Sequence, residues 1–175
     1  MHLARNSLVL PFTWTVGLAS LLTLFEVSTP GLSYWALALA LCWLALAIWL
    51  AWMLVSAVRK RAWTPGMFVP LALMLGTVLL VKVDAPLHAR FALSESSLEH
   101  RARSVRSDFD SDGWWGLYWA HRVEKIPGGA RFLVTSLTMD WASYGFAYSP
   151  DRVPDPDEGS YEHFKGPWYI WTEGV

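Results

Sequence analysis

From Tyr34 to Val58 the chain runs for 25 residues without a charged side chain, and few folds accept such a stretch. At 1.5 Å per residue, a helix of that length crosses a hydrocarbon core of roughly 30 Å with some tilt. Two shorter apolar runs flank it, about Leu8 to Phe25 and about Met67 to Val83, each near the ~17-residue minimum for a span. Lys82 ends the third run and can extend its ammonium toward headgroups. Trp35, Trp52 and Trp63 fall near run ends, where interfacial indoles collect. The expectation is three transmembrane helices over residues 1–83. A cleaved signal peptide would need a small-x-small site after the first run, and Glu26-Val27-Ser28-Thr29-Pro30 reads instead as the exit of a span.

Charge divides the chain at the same place. Residues 1–83 carry Arg5, Arg59, Lys60, Arg61 and Lys82 against Glu26 alone, and the remainder carries nine basic and fourteen acidic residues. No basic stripe suited to nucleic acid is present, so none is expected as a partner. Arg59-Lys60-Arg61 follows the second run, while the first connection, Glu26 to Ser33, has no Lys or Arg. Under the positive-inside rule the N-terminus and the second loop face the cytoplasm. Three spans then place the C-terminal part outside a plasma membrane. The apolar cores hold no ionisable group, which argues for an anchor rather than a transport path. Ala36/Ala40, Ala47/Ala51 and Ala72/Gly76 have small-xxx-small spacing, which suits ordinary packing among the three helices before a partner-binding face.

After Val83 the composition changes, and residues 84–175 read as a second domain. Leu98, Ala102, Val105 and Phe109 share one helical face. Ser94 suits an N-cap, with Ser96 and Glu99 as a competing capping box; Glu99 and Arg103 have i,i+4 spacing. From Leu117 to Glu124 the period is two, Pro127-Gly128-Gly129 supplies a turn, and Arg131 to Thr138 returns. Gly145 to Ser149 and Trp168 to Thr172 read as further strands, with a loop from Asp151 to Ser160 between them. One helix and an antiparallel sheet of three or four strands make a small α+β domain. The lone Cys42 allows no intrachain disulfide and no Cys-based zinc site.

One motif has a definite chemistry. Asp108-Phe109-Asp110-Ser111-Asp112-Gly113 sets alternate carboxylates before a glycine, as calcium loops do. The bidentate glutamate that such a loop needs at its twelfth position is here Trp119, so Asp108, Asp110 and Asp112 would form a weak calcium site or merely an acidic turn. The five histidines form no His-x-x-x-His pair, and no nucleophile elbow, P-loop or dinucleotide fingerprint occurs. Aromatic residues crowd the C-terminal part. Most are expected in its core, while Trp114, Trp115, Tyr169 and Trp171 are candidates for binding a partner, because neighbours in a strand point to opposite faces.

The runs Arg90-Phe91-Ala92-Leu93-Ser94, Pro127-Gly128-Gly129-Ala130-Arg131-Phe132, Gly145-Phe146-Ala147-Tyr148-Ser149-Pro150-Asp151 and Tyr161-Glu162-His163-Phe164-Lys165-Gly166-Pro167-Trp168-Tyr169, with Trp171, resemble a group of small actinobacterial multi-pass membrane proteins of no assigned activity. The resemblance implies a bacterial envelope location and supplies no catalytic residue. The expectation is a membrane-anchored envelope protein whose partners are the lipid bilayer and other membrane proteins. It would act as a non-enzymatic interaction module or accessory subunit. The alternative is an envelope enzyme or metal-binding sensor built on the acidic loop.

Overall fold

The computed structural model describes residues 9–31, 35–59, 66, 68–105, 112–135, 142–155 and 159–174. The chain divides into two compact units, each made of two segments. One joins Met1–Glu26 to Trp35–Pro86, the other Val27–Tyr34 to Leu87–Val175.

The first unit holds α1 (Val9–Glu26), α2 (Trp35–Arg59) and α3 (Phe68–Lys82), with α1 packed against both others. Phe12, Val16 and Ala19 form one face of α1, and Leu46, Leu50, Met53 and Ala57 one face of α2; all are buried in a common core. Phe12 meets Trp49 edge-on, with centroids 4.4 Å apart. Thr15, Thr23 and Thr77 each donate a hydroxyl to the carbonyl four residues back at 2.8 Å, which satisfies their polar groups inside the helix. Trp43 Nε1 donates to Thr23 Oγ1 at 2.8 Å. The remaining sides are apolar and exposed, including Trp14, Leu21 and Phe25 on α1 and Leu41, Ile48 and Trp52 on α2.

The three-span membrane architecture is not what the structure shows. Among the described residues one helix, Ala36–Arg59, is long and apolar enough to cross a membrane, or up to two where the bent pair Phe68–Lys82 and Ala85–Ser104 counts as one broken span. The physical reason is clearest in α3. Its 15 residues extend only about 22 Å, short of a ~30 Å core. The chain then turns at Asp84, which takes a left-handed φ of 51°, and continues as polar α4. The sidedness argued for the C-terminal part rested on three spans and loses that premise. Trp63, Lys60 and Arg61 lie outside the described residues.

The small-domain description is corrected as well. Among its described residues the second unit contains most of α4 (Ala85–Ser104) and seven strands in two antiparallel sheets, not three or four in one. Strands β1 (Gly113–Trp115) and β2 (Tyr118–Ala120) form a hairpin. Strands β3 (Arg122–Ile126), β4 (Gly129–Thr135), β5 (Ala142–Tyr148), β6 (Ser160–Lys165) and β7 (Trp168–Gly174) form a sheet in the order β3-β4-β5-β7-β6. The expected single strand from Leu117 onward breaks at His121, where the inward phase changes from Tyr118 and Ala120 to Val123. Strand β6 escaped the sequence pattern because it is a largely exposed edge, carrying Glu162, His163 and Lys165; pairing with β7 makes it a strand.

Helix α4 covers one face of the five-stranded sheet. Leu87, Phe91, Ser94, Leu98, Ala102 and Val105 recur at helical spacing and are buried, against Val123, Phe132, Phe146, Tyr148 and Trp168. Phe91 lies at the centre, 5.0 Å from the ring of Phe146 and 5.3 Å from that of Trp168. Leu98, Ala102 and Val105 thus share a face, while Phe109 lies outside the described residues. Ser94 is no N-cap and Ser96-Glu99 no capping box, because α4 begins at Ala85 and both lie inside it. Glu99 and Arg103 do pair, at 2.5 Å.

Candidate functional site

The four aromatic candidates fall into two places in the second unit. Trp114 and Trp115 belong to the β1–β2 hairpin, and Tyr169 and Trp171 to β7 on the helix-free face of the sheet.

The hairpin is short, and α4 fixes it. A two-residue turn, Gly116-Leu117, joins its strands in the register Trp115↔Tyr118. Gly116 takes φ +64°, and a Cβ there would meet Ser94 Cβ at 2.6 Å. Glycine therefore serves both the turn and the close approach to the helix. Ser94, fully buried, donates its hydroxyl to Arg90 O and accepts from Leu117 N, both at 2.9 Å. Arg90 donates to Leu117 O from Nε at 3.2 Å and from Nη2 at 2.6 Å, and its guanidinium lies 4.5 Å above the Tyr118 ring. The same arginine reaches Ser28 Oγ at 2.9 Å, and Tyr118 donates its hydroxyl to Ser28 O at 3.0 Å. Burial pushes the Tyr118 hydroxyl well above its ordinary pKa, with Arg90 opposing part of that rise; burial also lowers Arg90. Around this latch Trp114 is 65 % exposed, its ring 5.6 Å from that of Trp119. Trp115 turns inward under the Arg101 guanidinium at 4.6 Å, its indole nitrogen buried and without a hydrogen-bond partner.

On the helix-free face the central feature is Trp171, which is fully buried. From β7 its indole crosses Gly145 on β5 and donates to Phe132 O on β4 at 3.1 Å. A Cβ on Gly145 would lie 2.6 Å from that indole nitrogen and would collide with Phe132 O. Arg131 stacks over the indole at 4.9 Å and pairs with the buried carboxylate of Glu124. Burial opposes the arginine's charge, but Glu124 and Tyr161 outweigh it and hold the pKa above the ordinary value. Arg122 joins the network through Glu124 at 2.7 Å and Glu173 at 3.5 Å. Tyr169 is half-buried beside the exposed His163, rings 5.4 Å apart, and His163 Nε2 donates to Gly166 O at 3.0 Å. Both acids and both arginines in this network are engaged with one another. Trp171 belongs to that interior, while Tyr169 keeps an exposed side.

Only one carboxylate of the acidic motif can be placed. Asp108 and Asp110 lie outside the described residues, and Asp112 is exposed just before β1. Among the described residues no group of three His, Cys, Asp or Glu side chains could hold a metal ion. Sequence reasoning missed Arg90, Tyr118 and Ser28. The one available signal was Gly116-Leu117 between aromatic pairs, a glycine at the first central position of a two-residue hairpin turn. No family model matches the chain, and no curated protein and no solved structure is significantly similar to it.

Proposed function

We infer that the protein is a membrane-tethered, non-enzymatic interaction module, anchored through α2 and presenting its sheet unit to other membrane proteins. The observation that carries this reading is the surface of α2: only 17 % of its apolar window is buried. Side chains such as Leu37, Leu41, Leu44, Ile48 and Trp52 are left without protein cover. A core helix of a water-soluble domain would hide that surface, whereas a bilayer solvates it. The basic C-terminal end of α2, from Arg59, fits the cytoplasmic side. An envelope location agrees with the sequence resemblance. In the sheet unit, the engaged charges around Glu124 and Arg131 and the half-exposed Tyr169 suit holding a partner better than turning over a substrate.

The test takes the tagged full chain from its native membrane. Resistance to alkaline extraction is expected for an integrated α2, and release into the supernatant would refute the anchor. After mild detergent, a stoichiometric protein partner that Tyr169→Ser weakens, with the melting temperature unchanged, supports the module. A stoichiometric metal in the same sample would favour the acidic-loop sensor instead.

A further inference from the structure

Among the described residues, several aromatic rings of the sheet unit carry a guanidinium of the same chain. Arg90 lies 4.5 Å from the centroid of Tyr118, Arg101 4.6 Å from Trp115, Arg131 4.9 Å from Trp171 and Arg103 6.0 Å from Tyr148. Each of those rings is buried or half-buried. A cation over a ring face meets the negative side of its quadrupole. Two neighbouring indoles are not used in this way. Trp114 and Trp119 stand opposite each other in the β1–β2 hairpin, on the side away from the buried Tyr118 and Ala120. Their centroids are 5.6 Å apart and their planes 70° apart, so the two rings make a corner. Among the described residues no Lys or Arg lies over either of them, and Trp114 is 65 % exposed.

A cross-strand indole pair also stabilises a hairpin. This hairpin, however, is already held from its inner side, by Ser94, by Arg90 and by the close approach of Gly116 to α4. Stabilisation alone does not call for the exposure that Trp114 keeps.

Charge gives the chemistry of the occupant. Asp112 is exposed and stands two residues before Trp114, the spacing that returns a side chain to the same face of an extended chain. Residues 84–175 carry nine basic and fourteen acidic side chains, a field that draws cations in. Tryptophan is the strongest aromatic partner for a cation, and methylated ammonium groups are the ligands that aromatic corners take. An unmethylated ammonium holds its water more firmly. A sugar stacks on one flat ring, whereas two rings at 70° wrap a rounded group. A protein partner would need about 800 Å² on this side, far more than two rings and a carboxylate offer.

We propose that Trp114 and Trp119, with Asp112, bind a small quaternary ammonium ion free in solution. The site uses residues of the sheet unit alone, so it stands whether or not α2 lies in a bilayer.

The experiment uses the purified full chain in a maltoside detergent and reads saturation transfer to the methyl protons of choline. The control is the tert-butyl analogue in which carbon replaces the charged nitrogen, a ligand of the same shape without the charge. Choline should receive saturation well above the neutral analogue. Trp114→Leu should weaken choline at least about fivefold with the melting temperature unchanged, and Trp114→Phe should weaken it less. Asp112→Asn should also weaken it, by more at low salt than at high salt; this variant keeps the test open should Trp114→Leu lower the melting temperature. Equal transfer to choline and the neutral analogue would overturn the proposal. So would transfer to neither, or choline binding untouched by these substitutions. Arginine methyl ester and a short-chain phosphatidylcholine are run beside them. If either binds in a Trp114-dependent way and choline does not, the corner takes a partner's side chain or a lipid headgroup, and the free-cation proposal falls.

Discussion

Gly145 shows how one missing side chain sets the sheet unit's interior. It leaves the space through which Trp171 reaches across β5 to Phe132 O, under the Arg131 guanidinium. Gly145→Ala should expel the indole from its place, leave Phe132 O without its donor and cost on the order of 3 kcal/mol; denaturant unfolding followed by near-UV dichroism measures it. Trp171→Phe should cost less than Trp171→Ala, because the ring volume is kept while one hydrogen bond is lost. Tyr118 carries a pH dependence. Its hydroxyl donates to Ser28 O, so Tyr118→Phe should cost about 1–2 kcal/mol at neutral pH. The folded-state pKa is raised above the ordinary 10.0. The neutral phenol's contribution is therefore fully present below pH 10 and declines as pH rises toward the folded value, because the unfolded chain ionises first. The stability gap between wild type and Tyr118→Phe should narrow above pH 10. A gap of constant size in that range would refute the buried, neutral hydroxyl.

Two adjacent glycines of one hairpin are needed for different reasons. In the β3–β4 turn Gly128 takes φ +88°, whereas a Cβ on Gly129 would run into the carbonyl of Tyr148 on β5. Gly128→Val should cost ~1–3 kcal/mol through backbone strain. Gly129→Val should cost more, since strand pairing itself must shift. Equal protease resistance of wild type and both variants would remove this account. The turn at Pro127-Gly128-Gly129 was legible because its chemistry is local. The face of α4 was legible too, through the recurrence of Leu98, Ala102 and Val105. The start of α4 was not, because Ser94 has the composition of a cap and the environment of a core residue. Only contact with Gly116 and Leu117 distinguishes the two.

At the scale of the whole molecule, the connection Val27–Tyr34 belongs with the sheet unit although the sequence places it between two apolar helices. The unit should therefore be incomplete without it. A chain beginning at Leu87 lacks the Ser28 acceptors for Tyr118 and Arg90, so it should be less stable than the same unit in the full chain. Adding Tyr118→Phe to the short chain should then cost little, because its partner is already gone. The thermodynamic cycle is read from unfolding of the four proteins. An undiminished cost in the short chain would show that Ser28 is not the partner that matters.

What the sequence determined by itself is a matter of solvation and local backbone chemistry. The uncharged run from Tyr34 to Val58 contains nearly all of a long apolar helix, α2 (Trp35–Arg59), and after Val83 the composition turns polar and ring-rich. Glycines mark the turns there, because each of these choices is made within a few residues. Whether the flanking apolar runs were spans was not decided there. The length of α3, the left-handed turn at Asp84 and the exposure of each helix are known only once the chain is folded. The roles of the rings were decided later still. Trp114 and Trp171 have the same side chain, yet one stands in the open while the other lies beneath an arginine. That difference comes from Gly145, Arg131 and Ser94, which are distant in sequence and brought close by strand pairing and helix packing.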